Sequence, residues 1–459
     1  ADGYGRMTGK PALTLLHLGP GFANGIANLH NARRARTPIV NMIGEHATWH
    51  GAADAPLASD IDALARPVSA WVRRSESGET MAADMAEAIA QARGGAGQVA
   101  TLILPHDLQL APSGGAAPLS PPAARRAVSE NRVRQAAEVL RKGDAVLFLG
   151  DEALSERGLK AAWRIASLCR ARVMSPTSNA RSERGAGLPP FERLPYLPEQ
   201  ALESLSPFRS MVLAGAKAPV GFFGWPGMPS SMVPAGCAVE LLAEPDDDII
   251  AALEALADFM AAPAYESPAL DRPLLPAEGT LTAESLTQGI AALQPEGCIL
   301  VNEAITSGWR YHQQSQGAPR FTELQLTGGA IGLGPSLSLG AAVACPDRQV
   351  IDLQADGSGL YNSQALWSQA RQNSNVVTVI CSNRRYAILQ LELQRAGVNR
   401  LGTEAQALTD FSAPAVDWVS LAQGFGVPAA RVEDTTGFAA ALRRGLAEPG
   451  PYLIEACIA

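Results

Sequence analysis

The chain has 459 residues, a net charge of −8 and no basic stripe, which argues against nucleic acid or an anionic membrane surface as a partner. Its length leaves room for about three domains, each with its own core. No apolar run is long enough to span a bilayer, nothing resembles a signal peptide, and the six cysteines (Cys169, Cys237, Cys298, Cys345, Cys381, Cys457) form no CxxC pair; they read as buried small residues in a reducing, cytoplasmic setting.

Residues 1–110 form a first unit. Pro11–His17 reads as a short strand, and Gly19-Pro20-Gly21-Phe22-Ala23-Asn24-Gly25 as a glycine-rich turn opening a helix through Arg33. Thr37–Gly44 and Val99–Pro105 read as further strands. Strand, turn, helix and strand spell a parallel sheet with a ligand at the turn, although such a turn can also serve only to pack the helix closely. His17 closes the first strand, where an imidazole can move a proton near neutral pH or simply be hydrogen-bonded. His46 and His50 are four apart but lack a third ligand and lie in a loop-like stretch, so they are not read as a metal pair. His30, His106 and His312 read as surface or packing residues.

A Pro/Gly/Ser/Ala linker (111–124) leads to a second unit, residues 128–260, with strands at Ala145–Gly150, Arg172–Met174, Met211–Gly215 and Cys237–Leu241 and a helix from Gly158 to Cys169. The turn at Leu149-Gly150-Asp151 lacks the GxGxxG spacing of a dinucleotide fingerprint. A second linker (261–278) precedes the third unit, residues 277–459. There Ile299–Glu303 reads as a strand ending in a polar turn, with Thr306 as a helix cap. The glycines of Thr327–Gly334 allow backbone to lie against a flat ring system.

The most informative stretch is Val350–Tyr386. A strand from Val350 breaks at Ala355-Asp356-Gly357-Ser358. A helix follows, with Ala365, Leu366, Trp367 and Ala370 on its apolar side, and a strand from Val376 then runs into Ser382-Asn383. A crossover of this length predicts two parallel neighbours, with Asp356 and Asn383 just past their carboxyl ends. A carboxylate and an amide oxygen so placed are half of an oxygen cage for Mg²⁺. Gly357 and Ser358 would open the helix, whose free N–H groups suit a phosphate. The plainer reading is an aspartate that caps a crossover helix.

Asp356-Gly357-Ser358, followed 27 residues later by Asn383, resembles the thiamine-diphosphate signature of the decarboxylase and acetohydroxyacid synthase superfamily, with Ala355 in place of the first glycine of Gly-Asp-Gly. Gly19-Pro20-Gly21 with Asn24 resembles the Gly-Pro-Gly-x-x-Asn loop of its pyrimidine-binding domain. The resemblance implies an α/β fold of three parallel-sheet domains: pyrimidine-binding, Rossmann-like middle and diphosphate-binding. The first is expected to be truncated, since Ala1–Gly9 matches the end of the family's first catalytic helix and the cofactor-activating glutamate falls upstream of Ala1; the fragment alone is then expected to be inactive.

The same resemblance implies thiamine diphosphate and Mg²⁺ as cofactors, the ion held by Asp356, Asn383 and the backbone carbonyl of Arg385. Gly21, Asn24, Thr306, Gly357 and Ser358 would touch the cofactor, with Tyr386 facing the pocket. Gly329 and Ile331 would lie against its rings, Ile331 propping it into a bent shape that brings reacting groups together. In aroylformate decarboxylases of the superfamily a histidine placed like His17 reaches the substrate, but a second one at the head of the third domain has no counterpart near Thr282. Acetolactate-synthase-like decarboxylation and carboligation of a 2-oxo acid is therefore the favoured expectation, and a benzoylformate-type decarboxylase the alternative. Other readings are a non-catalytic cofactor-binding relative and a flavin-dependent oxidase; FAD in the middle domain stays open, with a scaffold role preferred. A homodimer or homotetramer is implied, because in such enzymes the cofactor lies between the first domain of one subunit and the third of its neighbour.

Overall fold

The apolar runs at the centres of the sheets become strands that are buried on both faces, as parallel sheets covered by helices require. A computed structural model of the chain describes residues 1–398 and 400–459. In chain order the strands are β1 (Ala12–His17), β2 (Ile39–Glu45), β3 (Trp71–Arg74), β4 (Val99–Pro105), β5 (Ala145–Leu149), β6 (Arg172–Ser175), β7 (Ser182–Arg184), β8 (Glu192–Arg193), β9 (Ser210–Ala214), β10 (Ala238–Ala243), β11 (Cys298–Glu303), β12 (Phe321–Gln325), β13 (Val350–Ala355), β14 (Val376–Ser382), β15 (Ala429–Val432) and β16 (Tyr452–Cys457). They form three sheets, ordered β1-β2-β4-β3, β10-β9-β5-β6-β8 and β15-β16-β14-β13-β11-β12-β7. The α/β class with parallel sheets read from the sequence is the observed one.

The chain divides into two compact units. The first comprises residues 1–183 and 188–268 and carries the first two sheets; the second comprises residues 184–187 and 269–459. Within the first unit β4 is buried almost throughout, whereas β1, at the sheet edge, alternates between half-buried and exposed positions and leaves Leu13, Leu15 and His17 exposed. The short strands β3, β7 and β8 had no apolar run to announce them.

In the second unit the core is built on Leu300, Ile351, Leu353, Val377 and Val379, which alternate along the central strands and are fully buried. Buried aliphatic side chains of this kind each contribute about 1.5–3 kcal/mol relative to exposure. The crossover from β13 to β14 runs through a four-residue helical turn (Asp356–Gly359), a 3-10 turn (Leu360–Asn362) and the helix Ala365–Arg371. Trp367, expected on the apolar side, is exposed and carries the Arg371 guanidinium over its ring at 5.3 Å. Its seven-residue helix buries Ala365, Leu366 and Gln369 instead. Of the six cysteines, all free, only Cys298 and Cys381 are buried; the other four are intermediate.

One buried ion pair ties the edge of the second unit's sheet. The Arg184 guanidinium donates to Glu323 on β12 at 2.7 Å and to the His312 carbonyl, and both side chains of the pair are almost wholly shielded. Glu323 also accepts from Asn302 and Gln325. Removing one partner strands a buried charge, so Glu323→Ala is expected to destabilise this unit by about 3–5 kcal/mol in urea unfolding. A loss below about 1 kcal/mol would show that the pair is not shielded as described.

Candidate functional site

The register of the second unit's sheet decides which residues can meet. Glu303 at the end of β11 pairs with Gln354 of β13, and Ala355 pairs with Cys381 of β14, so the three strand tips finish at one level. The chain leaves β11 toward β12 on one side and leaves β13 toward β14 on the other. Their tips therefore flank a topological switch point, where open α/β sheets bind ligands.

Asp356 stands immediately beyond β13 and is buried. One of its carboxylate oxygens accepts the Gly357 N–H at 2.8 Å and the other the Arg384 N–H at 2.6 Å. Asn383, just beyond β14, accepts the next amide, Arg385 N–H, at 3.0 Å. The two side-chain oxygens thus bind consecutive amides of one turn, in which Arg384 adopts a left-handed φ of 56°. A small cavity here is lined by Asp356, Ser382, Arg384, Phe411, Val416 and Trp418; Asn383 is not among its walls. Burial pushes the Asp356 carboxyl up to about 6, against the pull of the amide hydrogen bonds.

Gly357 lies beneath two aromatic rings. A Cβ there would stand 2.5 Å from the Tyr386 ring and 2.7 Å from the Phe411 ring, which meet edge-on at 4.4 Å between centroids. Backbone bonds from Tyr386 N–H to Thr409 and from Phe411 N–H to Arg384 hold this cover in place. Ser358 is buried and accepts from the Gln354 amide at 2.7 Å. Because the helical turn at Gly357-Ser358 has only four residues, the expected long helix with its dipole is replaced here by local amides.

Thr306 is half-buried within a 3-10 turn, Ile305–Gly308, whose N-cap is Ala304, so it is not the cap expected from sequence. Gly329 is exposed with φ 77°, and Ile331 is half-buried. Just past Ile331, the buried Glu303 carboxylate accepts the N–H groups of Gly332 and Gly334, both at 2.6 Å, while Asn362 donates to the Gly332 carbonyl at 2.8 Å. Burial pushes the Glu303 carboxyl up to about 7 even though these amides favour its charged form. Asp352, wholly buried two residues before Gln354 on β13, is also raised well above the ordinary carboxylate range, by desolvation and then by Glu303.

In the first unit, His17 is exposed at the end of β1 and occupies the N-cap position of the helix Leu18–Arg34. The Gly19–Asn24 motif is thus the first turns of that helix, not a separate loop before it. Gly21 packs close to His17, where a Cβ would sit 3.4 Å from the histidine's own, and Asn24 is exposed. His46 and His50 stack edge-on at 5.2 Å, and among the described residues no group of three or more His, Cys, Asp or Glu is arranged to hold a metal.

The second unit thus gathers Asp356, Gly357, Ser358, Asn383, Arg385 and Tyr386 around one turn, with Thr306, Gly329 and Ile331 following the neighbouring strands β11 and β12. Glu303, Asn362 and Phe411 were not singled out from sequence. A lone charge closing an apolar strand was the available signal for Glu303; nothing local marked Phe411, which reaches Gly357 from 54 positions away.

The donor set suits a metal-bound diphosphate. It is an all-oxygen set of the kind that hard dications take, its carboxylate is desolvated with no cationic side chain paired to it among the described residues, and the glycine leaves no room for a side chain. The family models agree with the class. That for the C-terminal TPP binding domain of thiamine pyrophosphate enzymes matches residues 305–456, and that for the N-terminal TPP binding domain matches residues 1–65. A Mycobacterium tuberculosis protein named "Putative acetolactate synthase large subunit IlvX" is 49% identical over 462 residues, covering 100% of this chain and 88% of the relative. Benzoylformate decarboxylase of Pseudomonas aeruginosa is 28% identical, covering 99% and 88%. The solved structure of a thiamine diphosphate-dependent 4-hydroxybenzoylformate decarboxylase from Rhodococcus jostii RHA1 superposes with a TM-score of 0.85 at 26% identity, covering 100% of this chain and 89% of that one. The chain belongs to the thiamine pyrophosphate enzyme family, and it is similar to both acetolactate-synthase-like and benzoylformate-decarboxylase members.

Glu303 allows a pH test. Its carboxyl holds a proton to higher pH in the folded protein than in an unfolded chain, where glutamate titrates near about 4.3. Its stabilising contribution is therefore complete below the unfolded value and is lost as pH rises through about 7. Relative to Glu303→Gln, the wild type is expected to lose on the order of 3 kcal/mol between about pH 4 and pH 8 in urea unfolding. A difference that does not change with pH would contradict the buried carboxyl.

Proposed function

We propose that this chain is part of an enzyme that uses thiamine diphosphate and Mg²⁺ to decarboxylate a 2-oxo acid and join the remaining acyl carbon to a second carbonyl compound, as its acetolactate-synthase-like relative's name suggests. The observation that carries the reading is the pair of side-chain oxygens, from Asp356 and Asn383, bound to consecutive amides at the tips of adjacent parallel strands. In this reading those oxygens and the Arg385 carbonyl hold the ion. The turn at Gly357-Ser358 and Thr306 receive the diphosphate, and Tyr386 with Phe411 shields it from water. Bound thiamine diphosphate supplies the electron sink for loss of CO₂.

Gly21 and Asn24 of one subunit would touch the pyrimidine ring, and Gly329 and Ile331 of its neighbour would support it. His17, at an exposed strand end, would accept or return a proton near neutral pH. A homodimer or homotetramer is the assembly that goes with this arrangement. A benzoylformate-type decarboxylase is the second reading, favoured by His17 and by the likeness to the two decarboxylases. Against it, the Thr282 hydroxyl is spent in a capping box with Ser285 at the start of the helix Ala283–Leu293, with no imidazole at that position.

A 2-oxo acid panel supplied with thiamine diphosphate and Mg²⁺, scored for CO₂ and for coupled product, decides between the two: coupled product supports the first, and CO₂ with only the aldehyde supports the second. Asp356→Ala is expected to weaken thiamine diphosphate binding at least tenfold by calorimetric titration, a loss of about 1.4 kcal/mol or more. Equal binding by Asp356→Ala and the wild type would overturn the assignment of the ion.

A further inference from the structure

Glu303 has no part in the chemistry above, yet both of its carboxylate oxygens are committed to backbone amides. Its two oxygens each take one backbone amide, Gly332 N–H and Gly334 N–H, with the Leu333 N–H and the Gln354 side chain adding weaker hydrogen-bonding support. Gly332 is held from the opposite side as well, since Asn362, three residues past Gly359 in the crossover, donates to its carbonyl. There is no slack in the segment. Gly332 has φ 91°, and a Cβ on it would stand 2.4 Å from the Tyr361 Cβ; a Cβ on Gly334 would stand 1.9 Å from the Gln354 side-chain oxygen.

We propose that Glu303 is a positioning residue: by gripping the Gly332 and Gly334 amides just past Ile331, it sets where the Ile331 side chain stands against the cofactor. The inference rests on the reading of Ile331 given under Proposed function. The residue type follows from the donors. Two N–H groups converge on two oxygens, which a carboxylate satisfies with two charge-assisted bonds. A glutamine offers one oxygen and one NH₂, so it sets a donor against one of the two amides and releases it. Asp352 does not compete for the role, because it lies wholly buried between the strands and binds neither glycine amide.

The test compares wild type, Glu303→Gln, Ile331→Ala and the double variant, with two readouts. In cofactor-free protein, hydrogen exchange at the Gly332 or the Gly334 amide, whichever the glutamine NH₂ faces, is expected to speed up at least tenfold in Glu303→Gln, while exchange in β13 and β14 stays unchanged. In thiamine diphosphate titrations with Mg²⁺, Glu303→Gln is expected to weaken binding about tenfold, and to add less than twofold once Ile331 is already alanine. Unchanged exchange, or effects of the two substitutions that multiply in full, would overturn the proposal. Wild-type protein that binds no thiamine diphosphate would instead remove the cofactor reading, and the exchange measurement would still decide whether the clamp exists. Should Glu303→Gln fail to fold, Asn362→Ala, which releases Gly332 from its other side, is expected to give the same local rise in exchange and the same non-additivity with Ile331→Ala; no rise there would count against the clamp.

Discussion

The in-register parallel pairing of β11, β13 and β14 is the constraint on which the rest of this site depends. Parallel pairing makes every strand run the same way, so all three release their chains at the same edge of the sheet. A one-residue slip would turn each side chain to the opposite face and carry Asp356 and Asn383 away from a common turn. The register is held by burial on both faces: Ile351, Leu353, Val377 and Val379 have no exposed alternative that would leave the core intact.

That edge concentrates carboxyl groups under tension. Asp356, Glu303 and Asp352 all have their protonated forms favoured by burial, and the first two are only partly relieved by backbone N–H groups. Desolvating an acid without a cation costs several kcal/mol, and structures retain such groups mainly where function requires them. The two acids nearest the surface of the switch point answer the cost differently. Asp356 lies where a dication would compensate it, while Glu303 spends its charge on glycine amides and so transmits the position of β11 to the segment bearing Ile331.

Glycine and aromatic residues complete the division of labour. The absence of a side chain at Gly357 lets Tyr386 and Phe411 close directly over the turn, and the left-handed φ of Arg384 turns its amide toward Asp356. The cover over Gly357 comes from a segment paired by backbone bonds to residues 384–386, so a single loop both supplies the second oxygen donor and anchors the roof.

From its sequence the chain declared its α/β class, the crossover between Val350 and Asn383, and the placement of Asp356 and Asn383 just past the ends of adjacent parallel strands, because strand hydrophobicity and connection length are local properties of sequence. It also declared the Gly19–Asn24 motif, although the helix starts earlier, at Leu18, than the glycines suggested. Trp367 on an exposed face, the short edge strands and the split crossover helix escaped, since a seven-residue helix offers too few turns for its apolar face to be read from periodicity. Contacts between segments far apart in the chain could be decided only by folding. Phe411 over Gly357, and Glu303 on Gly332 and Gly334, each join residues with no shared local pattern, and which of them meet depends on how the sheet twists and where its loops return.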